Sequence, residues 1–253
     1  MRKIAIVQAR MSSSRLPGKV LESLAGKPVL YHIHERLSGC KLIDKIVIAT
    51  SKDSSDDVID DFCQNHHIEC FRGSLNDVLD RFYQTAVKYK ADIIIRITGD
   101  CPVIDPVIVD SVLAGFLGGS YDFYGLGGEF PDGLDCTVFS FESIQMAWRD
   151  AKLPSEREHV GPYIENNPKI FNGGALDLYS GLSSMRLTLD ELADLELLKI
   201  VFDKLYYENK IFYTHEIFEL INKNPQLLKI NQGIVRNEGY SKSLLLEQEI
   251  DNE

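Results

Sequence analysis

Short runs of apolar, mostly β-branched residues alternate with longer amphipathic stretches through the first half of this chain. Such runs are typical of parallel strands buried on both faces, and the stretches between them are typical of helices that cover a sheet. The sequence therefore predicts strands at residues 3–7, 45–49, 69–71 and 92–97, and helices at 28–37, 54–65 and 76–89. A further helix is predicted after Asp105-Pro106, because Asp favours the N-cap and Pro favours the first turn.

The second half of the chain departs from this alternation. Beyond residue 118, glycine-rich turns separate short apolar segments, which indicates a small insertion of strands and loops over the sheet edge at about 118–140. Helices are predicted to resume at 140–151 and 156–166, followed by a strand at 185–189 and helices at 192–209 and 214–222. We therefore expect an α/β fold with a mostly parallel central sheet flanked by helices.

The length of 253 residues suits one large α/β domain. We expect a single domain at residues 1–231. The remaining residues, 232–253, end in a strongly polar run and are predicted to form a mobile tail.

Composition and charge exclude several classes of function. A formal net charge of −11 argues against sequence-independent binding to nucleic acids and against attachment to an anionic membrane, because both need a basic surface. No apolar run approaches the roughly 20 residues that span a bilayer, and the first apolar run is typical of a strand rather than a signal peptide. The five cysteines form no C-x-x-C pair, so neither a zinc knuckle nor a disulfide framework is indicated, and a cytoplasmic location is expected.

Positive charge is concentrated in the segment that follows the first predicted strand. Arg10, Arg15 and Lys19 fall within ten residues there, among hydroxyl residues and a glycine. Ligands of open α/β sheets bind at the carboxyl ends of the strands, where such a loop can offer backbone N–H groups and cationic side chains to a polyphosphate. The segment lacks the glycine and hydroxyl positions of a Walker A loop. It predicts a site for an anionic ligand, with an exposed basic connection as the alternative.

Two acidic residues follow predicted strands. Asp100 comes after the strand at 92–97, and Asp190 comes after the strand at 185–189. Mg²⁺ in proteins usually takes one or two carboxylates and leaves its other positions to phosphate oxygens and water. The pair therefore predicts a magnesium site against a triphosphate, the alternative for each aspartate being an ordinary helix N-cap.

Several short motifs occur in order along the chain: QARM at 8–11, RLPGK at 15–19, FRGS at 71–74 with NDVLDR at 76–81, RITGDCP at 96–102, PDGLD at 131–135 and REHV at 157–160. Together they resemble the cytidylyltransferase family. In particular they resemble its branch of spore-coat polysaccharide biosynthesis proteins, which is related to the enzymes that make CMP-sialic acid and CMP-Kdo. The likeness spans roughly residues 3–205.

The resemblance implies a Rossmann-like, GT-A-like nucleotide-sugar transferase fold, usually dimeric. It implies a reaction in which CTP and a sugar acid give a CMP-sugar and pyrophosphate, with Mg²⁺ as cofactor, in surface polysaccharide biosynthesis. Segment 118–140 would then be an acceptor-side or dimerisation insertion. The expected partners are CTP, an acidic sugar or related small acceptor, and a second copy of the chain in a homodimer, with no nucleic acid and no membrane.

The resemblance also implies roles for individual residues. The catalytic residues would be Arg10, Lys19, Asp100 and Asp190, the two aspartates as magnesium ligands. The expected nucleotide-binding residues are Gln8, Ala9, Arg10, Ser13, Arg15, Lys19, Arg72, Thr98 and Gly99, with Arg72 and Thr98 at the base. The expected acceptor-binding residues are Asp132, Asp135, Arg157 and His159. Among them, Arg157 is the first candidate for pairing with an acceptor carboxylate.

Three alternatives stay open. The same fold could use another nucleotide, such as GTP. A glycosyltransferase of similar architecture would consume a nucleotide-sugar, although such enzymes typically hold metal with a D-x-D, and Gly99-Asp100-Cys101 offers a single acid. A non-catalytic nucleotide-binding protein would keep the cationic loop without turnover.

Overall fold

One mixed sheet forms the centre of the molecule, and the computed structural model describes residues 1–250. Its strands are β1 Lys3–Gln8, β4 Lys45–Ser51, β5 Cys70–Gly73, β6 Ile93–Thr98, β7 Phe123–Gly128, β8 Thr137–Ser140 and β9 Gly173–Tyr179. They lie in the order β5-β4-β1-β6-β8-β7-β9, and a separate ribbon pairs β2 Ser23–Leu24 with β3 Lys27–Pro28. Within the sheet, β8 runs antiparallel to both neighbours and the other adjacent pairs are parallel. The predicted mostly parallel sheet is confirmed.

Helices cover both faces of this sheet. They are α1 Val29–Leu37, α2 Asp57–Asn65, α3 Val78–Tyr89, α4 Pro106–Leu117, α5 Phe141–Asp150, α6 Pro154–His159, α7 Pro162–Glu165, α8 Leu192–Leu205, α9 Thr214–Lys223 and α10 Glu238–Ile250. Helix α4 begins as predicted, because Asp105 accepts a hydrogen bond from the backbone N–H of Val107 at 2.9 Å. Across residues 1–250, no helix has both the length and the apolar character that a bilayer crossing requires.

The alternation of side chains along β1 divides the core into two layers. Ala5 and Val7 pack with α1, α2, α4, α8 and α9 on one face, whereas Ile4 and Ile6 pack with α3, α5 and α7 on the other. All four residues are at most 1% exposed. A strand that is buried on both faces has no polar positions, and this is why β1 is an unbroken apolar run in the sequence.

The register of the two central strands sets the position of the loops that follow them. Strand β1 pairs in parallel with β6, and Gln8 lies opposite Thr98 at the carboxyl end of the pair. The backbone N–H of Gly99 then donates to the carbonyl of Gln8 at 2.8 Å. A Cβ on Gly99 would lie 2.7 Å from that carbonyl oxygen, so the close contact between the two chains requires glycine.

Two predicted elements differ from the structure, and one strand of the central sheet was not predicted. The strand predicted at 185–189 is wrong, since the segment forms only an isolated bridge between Asp132 and Arg186. Strand β9 lies instead at Gly173–Tyr179, where half-exposed, glycine-containing sequence gives a weak strand pattern. The single helix predicted at 156–166 is divided into α6 and α7 by Val160, whose φ of 72° ends the first helix.

The segment at 118–140 and the described part of the tail, residues 232–250, contain regular secondary structure. Strands β7 and β8 belong to the central sheet rather than lying over its edge. In the tail, α10 packs against α6. The predicted mobility of residues 232–253 and the predicted role of 118–140 in acceptor binding or dimerisation stay predictions, and residues 251–253 lie outside the described range.

A buried histidine on α1 makes the fold sensitive to acid. His32 is 1% exposed, its Nε2 lies 2.7 Å from the carbonyl oxygen of Leu24, and its ring contacts Phe202 and Tyr206. Burial lowers the pKa of His32 from 6.5 to about 4. Above pH 6.5 the imidazole is neutral whether the chain is folded or not. Between pH 6.5 and 4 the unfolded chain binds a proton that the folded chain does not. The stability of the folded state therefore decreases as the pH is lowered through this window.

We therefore expect His32→Gln to flatten the acid dependence of stability. In the wild-type chain this histidine should lower the free energy of unfolding by up to about 1.4 kcal/mol per pH unit across the window from pH 6.5 to 4. Urea unfolding at pH 7, 6 and 5 measures the difference between the two slopes. Equal slopes for the variant and the wild type would contradict the assignment.

Candidate functional site

A cleft of about 490 Å³ lies at the carboxyl ends of β1 and β6. Its walls come from the loop after β1, from α3, from the segment around Asp190, and from α6 and α10. All the predicted site residues except Arg72 and Arg157 line it: Gln8, Ala9, Arg10, Ser13, Arg15, Lys19, Thr98, Gly99, Asp100, Asp132, Asp135, His159 and Asp190. Residues separated by up to 182 positions in the chain therefore meet at one edge of the sheet, where ligands of α/β folds bind.

Lys19 bridges the two aspartates that the sequence pairs as metal ligands. Its Nζ donates to Asp100 Oδ2 at 2.7 Å and to Asp190 Oδ1 at 2.5 Å. Gly18 places this side chain, because its φ of 77° turns the loop directly before the short helical turn at Lys19–Leu21. The Lys19 side chain is 12% exposed, so the alternative of an exposed basic connection does not describe this residue.

The ion pair changes the pKa of both partners. Burial would raise the pKa of Asp100, but the adjacent Lys19 ammonium lowers it to about 2. Burial would lower the pKa of Lys19, and the carboxylates of Asp100 and Asp190 more than offset that effect and raise it. The Lys19 ammonium and the Asp100 carboxylate are therefore both charged at neutral pH.

The segment at 185–190 reaches Asp100 through backbone contacts rather than as a strand. The backbone N–H of Leu189 donates to the carbonyl of Asp100 at 2.8 Å, and the Thr188 hydroxyl donates to the same carbonyl at 3.1 Å. On its other side the segment lies against Gly133, where a Cβ would be 2.4 Å from the backbone of Leu187. The close packing of the PDG turn against the segment before Asp190 thus holds both backbones in position.

A buried arginine that the sequence analysis missed organises the acidic residues around this segment. The Arg186 guanidinium, 5% exposed, donates to Asp132 at 2.7 Å, to Asp194 at 2.8 and 3.0 Å, and to Asp190 at 3.1 Å. Asn231 adds a 2.9 Å hydrogen bond to Asp194. The spacing of Arg186 four and eight residues before Asp190 and Asp194 is the signal that could have indicated the network.

The two remaining cations of the predicted loop also contact carboxylates. Arg15 lies 2.8 Å from Asp190 and 3.1 Å from Glu238. Arg10 lies 3.4 Å from Glu158, at the opposite side of the cleft. The positive groups of the loop are thus held in place by acidic partners within the site, and an incoming anion would meet cations that are already oriented.

Helix α10 forms a wall of the cleft that the sequence analysis did not anticipate. Ser243 hydrogen-bonds His159 and Glu158, each at 3.1 Å, and the Tyr240 ring contacts the His159 ring edge-on. Just before this helix, Arg236 donates to Asp135 at 3.1 Å. Burial lowers the pKa of His159, so its imidazole is neutral at pH 7.

Two predicted site residues lie elsewhere. Arg72 donates to the carbonyl of Ser51 and to Asp57, and it lines a separate, more open depression of about 610 Å³. Arg157 donates to the carboxylate of Asp77 and to the carbonyl of Trp148, which ties α6 to α3 and α5. The structure does not bring either guanidinium together with the other predicted residues.

The donor set around Lys19 suits a hard cation that is completed by phosphate. Within residues 1–250, no three His, Cys, Asp or Glu side chains converge as a metal site. Asp100 and Asp190 nevertheless lie close enough to contact one ammonium group, and two carboxylates are the usual protein share of a Mg²⁺ site that also uses phosphate oxygens. The residues present therefore fit magnesium bound together with a nucleotide.

Removal of the buried Arg186 guanidinium should destabilise the fold. Arg186→Met would leave Asp132, Asp190 and Asp194 without their shared partner, and breaking such a buried pair typically costs about 3–5 kcal/mol. The free energy of unfolding in urea measures this loss. Arg149→Gln, which breaks an exposed pair with Asp150, is the matched control and should leave the unfolding midpoint unchanged. A variant at Arg186 as stable as the control would contradict the network's role.

Comparison with known proteins gives a consistent result over nearly the whole chain. The sequence profile of a family described as cytidylyltransferase matches residues 4–232. The spore coat polysaccharide biosynthesis protein SpsF of Bacillus subtilis is 34% identical over 228 residues, which cover 87% of this chain and 94% of that protein. An uncharacterized protein of Methanocaldococcus jannaschii is 36% identical over 245 residues, which cover 95% of this chain and 98% of that protein.

A solved structure agrees with these matches. A cytidylyltransferase from Leptospira borgpetersenii serovar Hardjo-bovis superimposes with a TM-score of 0.86 at 33% identity, covering 93% of this chain and 100% of that one. The predicted Rossmann-like fold of nucleotidyltransferases is confirmed. Profile, relatives and fold together establish that this chain belongs to the cytidylyltransferase family, and so is an enzyme of that class.

Proposed function

We propose that this chain transfers the cytidylyl group of CTP to a hydroxyl of an acidic sugar, giving a CMP-sugar and pyrophosphate with Mg²⁺. One observation carries the proposal: Asp100 and Asp190, from distant parts of the chain, both contact Lys19 in a single cleft. Arg10 and Arg15 line the same cleft. Two carboxylates beside several cations are what a metal-bound triphosphate requires.

The residues of the chain act mainly by binding and orientation. Arg10, Arg15 and Lys19 bind the triphosphate and stabilise the negative charge on the departing pyrophosphate. Asp100 and Asp190 hold Mg²⁺, which neutralises charge on the phosphoryl oxygens when it is bound. The acceptor hydroxyl oxygen attacks the α-phosphorus, the bond from that phosphorus to the bridging oxygen of pyrophosphate breaks, and the hydroxyl proton passes to solvent.

The family assignment favours nucleotidyl transfer over the glycosyltransferase alternative. A glycosyltransferase would typically hold metal with a D-x-D, and here the residues two positions before and after Asp100 are Thr98 and Pro102, neither of which is acidic. Instead, the second acid comes from Asp190. The acid class of the acceptor is supported by the resemblance to enzymes that make CMP-sialic acid and CMP-Kdo.

We also propose that the chain works as a cytoplasmic homodimer. The resemblance supports the dimer, and the five free cysteines support a reducing compartment. Sedimentation equilibrium should give a mass twice the 28.6 kDa of one chain. A mass of one chain at micromolar concentration would reject the dimer.

A pyrophosphate-release screen tests the proposed reaction. The four nucleoside triphosphates are each combined with 3-deoxy-manno-octulosonate, N-acetylneuraminate and related acidic sugars, with and without Mg²⁺. We expect release only with CTP, an acid and the metal together. Release with GTP in place of CTP would transfer the proposal to another nucleotide. No pyrophosphate from any triphosphate, together with release of a nucleoside mono- or diphosphate from an added nucleotide-sugar, would favour a glycosyltransferase.

Substitution of one metal-site carboxylate provides a sharper test. Asp100→Asn should reduce turnover at least about 100-fold while the chain stays folded, since metal-held charge contributes several kcal/mol to the transition state. Asp203→Asn, at an exposed position of α8, is the matched control. The rate of pyrophosphate release and the circular dichroism spectrum are measured for both. Near-normal turnover in the Asp100 variant would contradict the metal assignment.

A further inference from the structure

Three buried polar atoms without hydrogen-bond partners lie in the same cleft. They are the side-chain Oε1 of Gln8, the Nε of Arg81 and the Nε of Arg96, none of which has a partner among the described residues. Unpaired buried polar atoms are rare in native proteins, because each loses its hydrogen bonds to water. Their convergence on one cavity indicates a ligand that pairs with them.

The fold places these three side chains on one face of the sheet. Strands β1 and β6 pair in register, with Ile6 opposite Arg96 and Gln8 opposite Thr98, so the side chains of Gln8 and Arg96 point to the face that packs against α3. Arg81 comes from α3 itself and is 1% exposed. Sheet and helix together form the floor and side of a subsite in this cleft.

The charge of this subsite is positive, and no direct ion pair among the described residues neutralises it. Arg81 donates to the backbone carbonyl of Ser74 at 2.7 Å, and neither Arg81 nor Arg96 has a carboxylate within 4.0 Å among the described residues. Burial and the nearby Arg10 lower the pKa of Arg81 to about 10, so it stays protonated at neutral pH. The acid that faces Arg96 is Glu165, whose pKa is raised by its own burial. The cations at the other end of the cleft differ, since Lys19 and Arg15 already contact aspartates.

We propose that Arg81, Arg96 and Gln8 bind the acid group of the acceptor. The two guanidinium groups donate to its carboxylate, and the Gln8 side-chain oxygen accepts from a neighbouring sugar hydroxyl. A buried carboxylate needs such charge-assisted partners, whereas a cytosine base is neutral and does not need two positive charges. This proposal rests on the proposed function, and it replaces Arg157, which Asp77 holds outside the cleft, as the residue that pairs with the acid.

Binding measurements with two forms of the same acceptor test the subsite. The chain is saturated with Mg²⁺ and the unreactive analogue α,β-methylene CTP, and it is titrated calorimetrically with 3-deoxy-manno-octulosonate, with N-acetylneuraminate and with the methyl ester of each. The wild-type chain should bind at least one acid about tenfold or more tightly than its ester. R96Q should weaken binding of that acid by about 10- to 100-fold, and should leave the affinity for the ester and for the CTP analogue within twofold.

Two further variants keep the outcome clear. R149Q, which replaces an exposed arginine on α5, should bind the acids, the esters and the CTP analogue like the wild type. R96K keeps the charge without the planar fork and should lose less affinity for the acid than R96Q does. If R96Q fails to fold by circular dichroism, then R96K decides: weaker binding of the acid alone supports the subsite, and unchanged binding overturns it.

Other results would overturn the proposal in distinguishable ways. Loss of affinity for the CTP analogue in R96Q, with the acid preference unchanged, would show that the subsite binds the nucleotide. Equal binding of acid and ester, or binding of the analogue without either acid, would reject the acid subsite and leave CTP binding intact. A wild-type chain that does not bind the CTP analogue would reject the proposed function itself.

Discussion

The contact of one ammonium group with two carboxylates is the interaction on which the site depends. Lys19 cannot reach both Asp100 and Asp190 unless three conditions hold together. The loop after β1 must turn at Gly18, β6 must end beside β1, and the segment before Asp190 must cross the PDG turn at Gly133. Each condition concerns one short segment. Together they bring the charged side chains of Lys19, Asp100 and Asp190 into contact, although these residues lie far apart in the sequence.

Electrostatic balance explains how a chain with a net charge of −11 presents a site for a polyanion. The cations that face Asp100 and Asp190 are paired, and for Lys19 the attraction of the two carboxylates offsets the cost of desolvation. Arg81 and Arg96 lack such partners, so their positive charge remains available to a ligand. The cleft thus contains cations that are paired with carboxylates of the chain, at Lys19 and Arg15, and cations without such a pair, at Arg81 and Arg96.

Much of the fold and of the candidate site can be predicted from the sequence. The elements and residues that were predicted wrongly or missed have physical explanations. The strands at β1, β4 and β6 are predicted because burial on both faces leaves their central residues almost entirely apolar. The meeting of Lys19, Asp100 and Asp190 in one cleft is predicted because loops at strand carboxyl ends converge. Strand β9 is missed because its sequence is partly exposed and contains glycine, so it lacks the apolar pattern of a buried strand. Segment 185–189 is wrongly predicted as a strand because it contains buried apolar residues although it forms a loop.

Arg157 and Arg72 were predicted to line the site because they lie in recognised motifs. The sequence of a motif does not reveal which side chain or carbonyl each guanidinium will contact. Arg186 and Arg96 were missed because their roles depend on contacts between segments far apart in sequence.

The position of α10 has a consequence for how such enzymes diversify. This helix of 13 residues follows the part of the chain that the family profile matches, yet it contributes Tyr240 and Ser243 to the wall around His159. The residues of the proposed triphosphate site lie within the range that the family profile matches, whereas one boundary of the proposed acceptor side comes from this helix outside that range. Exchange of that terminal helix between homologues would therefore be a route by which evolution, or an engineer, changes the accepted sugar while the proposed metal ligands stay the same.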